Sequence, residues 1–192
     1  DKSIEQIKNN IIKIGFYETY EKLPKFKIDS CTKNDFEEIE PDTTFGKLNV
    51  ERNSNYFFVK TSQKTLKFKE YHENDRDLNG NEFLGFNDKL KLYAIQSNSY
   101  SEGLGFADLT LIDSLSDYHY QIISLGDWSV SLPTASKNNQ FFVYFQNPEY
   151  ESKTLSIAVL KINTKEKPKS FLKEYSSCFV DNEMSIEEIR WK

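Results

Sequence analysis

Residues 75–81 read Asp75-Arg76-Asp77-Leu78-Asn79-Gly80-Asn81, with oxygen-bearing side chains at alternate positions and a glycine where the chain must turn. This is the order in which a calcium loop gathers its first ligands. Asp75, Asp77 and Asn79 would give side-chain oxygens, Asn81 its backbone carbonyl, and Glu82 a further carboxylate. The twelfth position, where a helix–loop–helix calcium site takes a two-oxygen Glu, is Phe86, and flanking helical patterns are missing. A calcium site here would therefore be of another kind, and the competing reading is an Asn-Gly turn between two strands.

Other reactive residues are sparse. Glu102, in Tyr100-Ser101-Glu102-Gly103, sits where a hairpin tip is expected and is the carboxylate best placed to act as an acid on a glycan. Trp128, in Gly126-Asp127-Trp128, offers a ring on which a sugar could stack. The commoner roles are a solvent-facing turn for Glu102 and a partly buried ring for Trp128. The two histidines and two cysteines lie more than five residues apart, so no local zinc pair exists. Neither cysteine carries a nucleophile motif, and the chain has no G-x-S-x-G elbow and no Gly-rich phosphate loop. Cys31 and Cys178 both lie among polar residues, so they read either as a disulfide or as two unrelated thiols.

The elements that would position these residues are mostly strands. Of 192 residues, 38% are hydrophobic and 29% charged, which fits a globular chain and not a disordered one. No apolar run approaches the roughly 20 residues that cross a bilayer. Fifteen Phe and eleven Tyr favour pleated, half-buried surfaces. Twenty-five basic and thirty acidic residues leave a net charge of −5, which disfavours binding to a phosphate backbone. The run Thr164–Lys169 is the one basic cluster and reads as a solvated link.

In chain order, residues 1–22 read as an N-terminal helix. Ser3 and Gln6 form a capping pattern, and Ile4, Ile7, Ile11 and Ile14 share one face. Residues 23–54 read as an acidic, loop-rich segment with short strands at 25–28 and 47–50. Residues 55–192 read as an antiparallel β body, beginning with Tyr56–Val59 and the alternating Leu66 and Phe68. Within it a β pattern recurs approximately over 83–130 and 133–180. The offsets 142 − 92 and 161 − 111 both equal 50, as a repeated unit requires. Third strands are expected at 118–124 and 171–175, and Ser185–Lys192 reads as a short helix or a strand with Ile186 and Ile189 facing inward. The whole reads as one mainly β domain with an N-terminal helix.

Residues 131–163 carry Pro133 and Ser136, the turn Lys137-Asn138-Asn139-Gln140, then an apolar strand, a polar hairpin and a second apolar strand. This resembles a blade of the TolB/WD40-like β-propeller repeats, in which P-x-x-S-P-D-G-K precedes such a pair of strands. Residues 83–113 are similar in outline, and Ile186–Trp191 would suit the inner strand of a following blade. Lys137 stands where that motif has Pro, and Asn138-Asn139 where it has Asp-Gly. A closed ring needs at least four blades, and the chain has room for about three. Blade-like meanders, a sandwich and a barrel all satisfy the pattern.

Three functions follow as expectations. The first is a non-catalytic, β-rich binding protein contacting a protein or a glycan, exported or derived from a lipoprotein and placed in the periplasm, at the cell surface or outside the cell. A chain opening at Asp1 without Met fits processing or trimming. The second is a glycan hydrolase with paired carboxylates, and the third an acidic inhibitor or immunity-type protein masking a basic partner.

Overall fold

The computed structural model describes residues 10–72, 79–101, 104–126, 128–149, 153–181 and 184–192. The chain forms two compact units. One takes the chain up to Ile14 and then Phe45–Ser124; the other takes Gly15–Thr44 and Leu125–Lys192.

In the first unit, β1 (Ile11–Ile14), β2 (Glu51–Arg52), β3 (Tyr56–Lys60), β4 (Thr65–Lys69), β5 (Gly80–Asn87), β6 (Leu92–Ser101), β7 (Leu104–Asp113) and β8 (His119–Ile122) make two sheets. Their orders are β2-β3-β4 and β1-β8-β7-β6-β5. Every pair is antiparallel except β1 with β8. Phe57 and Val59 of β3 pack against Tyr93 and Ile95 of β6 and Ile112 of β7, with Leu66, Phe68, Phe83 and Phe86 around them. Phe57 stacks on Phe68 at 5.2 Å, and Phe86 meets Tyr93 at 4.7 Å. Offset and tilted rings at such distances add to their area burial. The Tyr93 hydroxyl donates to the Lys60 carbonyl at 2.7 Å, so the ring that fills the core also ties one sheet to the other.

In the second unit, β9 (Thr134–Ala135), β10 (Phe141–Gln146), β11 (Thr154–Ile162) and β12 (Leu172–Asp181) form one antiparallel sheet, in the order β12-β11-β10-β9. Two short helices accompany it, α1 (Tyr17–Glu21) and α2 (Lys33–Glu37). Val143, Leu155 and Ile157 are covered by Phe26, Phe145, Val159, Ile186, Ile189 and Trp191. Tyr20 of α1 reaches the sheet. Its hydroxyl shares a 2.9 Å hydrogen bond with that of the buried Tyr144 and donates to the Val159 carbonyl at 3.4 Å, where a bulge shifts the β11–β12 register. An interrupted ladder leaves polar groups unmatched, and a side-chain hydroxyl meets that need.

Several sequence expectations are met. The strands at 56–59, 66–68, 118–124 and 171–175 correspond to β3, β4, β8 and β12. The meander topology is common to blades, sandwiches and barrels, so it carries the antiparallel fold and not a propeller.

Others are corrected. Within the region expected to be helical, Ile11–Ile14 is a strand and only Tyr17–Glu21 is helix, while residues 1–9 lie outside the described residues. Three β-branched side chains in four favour pleat over helix, and the pairing buries Ile14 while Ile11 stays 41% exposed. The strand expected at 25–28 reduces to a single bridge, Lys25 with Ser177, and the one expected at 47–50 does not form, a bridge of Gly46 with Phe86 lying just before it. Helix α2 follows a Thr32–Asp35 capping box within the expected loop segment. The opening stretch of the first copy, residues 83–96, falls in two strands and not one: β5 ends at Asn87 and β6 starts at Leu92, with Lys91 at a φ of 54° in the turn between. Leu92 and Phe142 are both fully buried, yet they pair with Asp113 and Leu160, so the partners stand 160 − 113 = 47 apart and not 50. Ser185–Lys192 is neither helix nor strand, although Ile186 and Ile189 do face the core.

The paired tyrosine hydroxyls make a measurable prediction. Tyr20→Phe leaves the buried Tyr144 hydroxyl without its partner and is expected to cost about 1–3 kcal/mol in urea unfolding. The double variant Tyr20→Phe/Tyr144→Phe removes both groups and should lose less than the sum of the single losses.

Candidate functional site

The candidate contact element is the far end of the β6–β7 hairpin. Strand β5 pairs with β6 only as far as Gly80 opposite Asn98, and β8 pairs with β7 only from Leu109 to Ile112. Among the described residues, Ser99, Tyr100 and Ser101 therefore pair along the ladder with Phe106, Gly105 and Leu104 alone. Tyr100, Leu104 and Phe106 are 47%, 56% and 46% exposed. Alternation puts Leu104 and Phe106 on one face of the tip and Tyr100 on the other. The Asn79 carboxamide oxygen accepts from the Tyr100 amide at 2.9 Å and steadies the base of the overhang.

Asn79 was expected to serve calcium, and so were its neighbours. Asp75 and Asp77 lie outside the described residues. The Asn81 carboxamide donates to the Lys69 carbonyl at 3.0 Å and accepts from the Ser97 hydroxyl at 2.7 Å, while its backbone carbonyl accepts from Tyr71 N–H at 2.9 Å. Glu82 accepts from Asn98 at 2.8 Å. The described members of the motif thus join the edge of a sheet to its surroundings. Gly80 has its own local reason: a Cβ there would lie 2.6 Å from the Tyr71 Cα. Among the described residues, no group of three His, Cys, Asp or Glu is arranged to hold a metal.

A polar cluster lies at the β7–β8 turn. Asp117, 2% exposed at a φ of 60°, pairs through Oδ2 with Lys64 Nζ at 2.5 Å, while its Oδ1 has no partner. Asp113 accepts from the Leu115 amide at 2.9 Å and the Ser116 hydroxyl at 2.7 Å, which closes the turn. His119 stands on the adjoining strand. Burial holds its imidazole below the usual histidine range, the Asp117 charge opposes that shift, and the Lys64 charge adds to it.

The remaining expected residues fall apart from one another. Glu102 lies outside the described residues. Trp128 is half-buried and its carbonyl accepts from the Gln146 carboxamide at 2.9 Å. Gln146 helps to line a cavity of about 250 Å³ in the second unit, together with Tyr17, Asn147, Glu149, Thr154 and Ser156. Its carboxamide is spent on the Leu125 amide and the Trp128 carbonyl, and Asn147 is spent on both backbone groups of Ile186. Trp191 packs on the sheet and donates to the Thr134 carbonyl at 3.0 Å. The cysteines are two unrelated thiols and not a disulfide: Cys31 is exposed, and Cys178 is buried in β12, where burial raises its thiol above the usual range.

The sequence placed a hairpin tip here and pointed to Glu102 on it, but with 97–105 read as a polar gap the apolar Tyr100, Leu104 and Phe106 around it were missed; the signal was Leu104 and Phe106 alternating with small residues. No helix among the described residues is long and apolar enough to cross a membrane. No protein-family model matches the chain, and neither the curated proteins nor the solved structures give a significant match to it.

The buried histidine carries a pH prediction. With its pKa below the unfolded value of 6.5, His119 binds fewer protons folded than unfolded, so its contribution is present above pH 6.5 and is lost as pH falls below that value. Urea midpoints are expected to drop between about pH 7.5 and pH 5.5, and His119→Gln should flatten that part of the curve.

Proposed function

We propose that the chain is a non-catalytic binding protein that engages a protein partner through the tip of the β6–β7 hairpin. The observation that carries this reading is the overhang: Leu104 and Phe106 on one face and Tyr100 on the other stand exposed beyond the described strands that flank them. Clustered exposed apolar groups mark contact sites, whereas single ones scattered over a surface are ordinary. A two-stranded overhang gains little from its own burial, so selection for stability alone does not account for leucine and phenylalanine there. An apolar pocket on the partner is the complementary surface, with aromatic side chains as the anchors.

A photo-crosslinking residue at Leu104 tests this in native extracts, with Leu115, 57% exposed in another turn, as control. One discrete adduct is expected from Leu104, none from Leu115, and loss of the adduct when Phe106→Ser is added. Equal labelling from both positions, or none from Leu104, overturns the proposal. Leu104→Ser/Phe106→Ser should shift stability by no more than about 0.5 kcal/mol, since both side chains already face water.

A further inference from the structure

A second surface stands on an independent observation, the exposed end of the β10–β11–β12 face whose Val143 and Ile157 are buried. Phe141, Lys161 and Lys173 lie in one cross-strand row, so the two lysines are directly opposite each other. Side chains in that relation stand about 5 Å apart, and like charges there destabilise the sheet. Both are exposed, and neither makes an ion pair with a described residue. The nearest acidic neighbour on β12, Glu174, is turned the other way and accepts from the Gly15 amide at 2.7 Å. Tyr175, two residues past Lys173 on the same side, is 48% exposed and meets the Phe141 ring at 5.0 Å.

The connection that follows β11 adds charge at the same end. Asn163 fastens it by donating from its backbone to the Phe171 carbonyl at 2.7 Å and from its side chain to the Ser170 carbonyl at 2.8 Å. The closed loop carries Lys165, Lys167 and Lys169 against a single acidic residue, Glu166. Lys165 lies over the Phe171 ring at 5.3 Å. On a chain of net charge −5, the β11 and β12 ends at Lys161 and Lys173 and the link between them thus carry five lysines.

We propose that this face binds an anionic polysaccharide, one bearing sulfates or carboxylates along its length. Lysines give compact point charges for such groups, and an aromatic ring offers an apolar surface to the C–H face of a sugar. Neighbouring strands place their side chains about 5 Å apart, close to the length of a sugar ring. Nucleic acid fits less well, because proteins that hold its dense phosphate charge are basic as a whole. The opposed lysines are then a stability cost kept for recognition.

Titration calorimetry with a heparin oligosaccharide and an alginate oligomer, at about 50 and 200 mM salt, tests the proposal. The chain should bind at least one probe, more weakly at higher salt. Lys161→Gln and Lys173→Gln should each weaken binding, and the double variant should weaken it by roughly 10-fold or more. Tyr175→Ala should weaken it with the salt dependence unchanged. With one repulsion gone, each lysine variant should melt no lower than the parent, which separates lost binding from lost fold. Failure to bind either probe at low salt, unchanged affinity in the double variant, or equal affinity for an oligothymidylate of the same length would overturn the proposal.

Discussion

Described tight turns in all three sheets are closed in one way: a short polar side chain bonds the backbone a few residues ahead. Asn53 accepts from the amides of Asn55 and Tyr56, Asn87 from Leu90, Asp113 from Leu115, and the Ser136 hydroxyl from Gln140 and Phe141. These bonds fix where each strand begins, and a strand's register decides which alternate residues face the core. A slip of one residue between β5 and β6 would turn Tyr93 and Ile95 away from Phe57 and Val59. The row in which Lys161 meets Lys173 has its own contact of this kind, the Asn163 carboxamide donating to the Ser170 carbonyl.

The same physics sets how far the sequence could be read. Compact apolar runs such as Tyr56–Val59 and Phe141–Phe145 declare themselves as strands because β-branched and aromatic residues pay little to lie on a pleat. What failed was the reading of connections. Lys89–Leu92 alternates lysine and leucine and imitates a strand, and the Asn87 side chain, bonding three residues ahead, helps turn it into a hairpin. The isoleucines of residues 4–14 keep helical spacing, but Ile12 breaks the stripe, and a parallel partner 108 residues away at Tyr120 decides the matter. Long-range pairing of that kind leaves no local mark. The box at Thr32–Asp35 was legible and was passed over, because a five-residue helix lacks the repeating apolar stripe that reveals longer ones.

Of the candidate site residues, Asn79 and Asn81 were singled out for oxygens at alternate positions and Glu82 as a further carboxylate. Alternation is also what an edge strand needs in order to bond to what lies beside it, and sequence does not separate the two uses. Asp113 and Asp117 drew no attention, although one closes a turn and the other holds Lys64 in a nearly buried pair. Their environment comes from Ser62–Lys64, about fifty residues earlier, where the Ser62 amide donates to the Ser114 carbonyl at 2.7 Å. A site assembled by a contact of that span is invisible until the fold is known.

The sheet edges bear on where recognition can occur. On β5, Phe86 exchanges both backbone bonds with Gly46, and the Asn81 carbonyl is taken by Tyr71. On β12, Ser177 donates to the Pro24 carbonyl and accepts from Phe26, and the Ser176 hydroxyl also reaches Pro24. Short crossings of this type block the middle of an edge and suppress addition of a foreign strand, the commonest hazard of open sheets. With backbone pairing closed off at those points, only side chains are left there for contact. Side chains free of core duties are found at a hairpin tip that outruns its neighbours and on a face where lysines oppose one another. The first offers apolar area without charge, and the second charge beside aromatic area. Surfaces so different in chemistry suit partners of different kinds, which is why one is matched to a protein pocket and the other to an anionic chain.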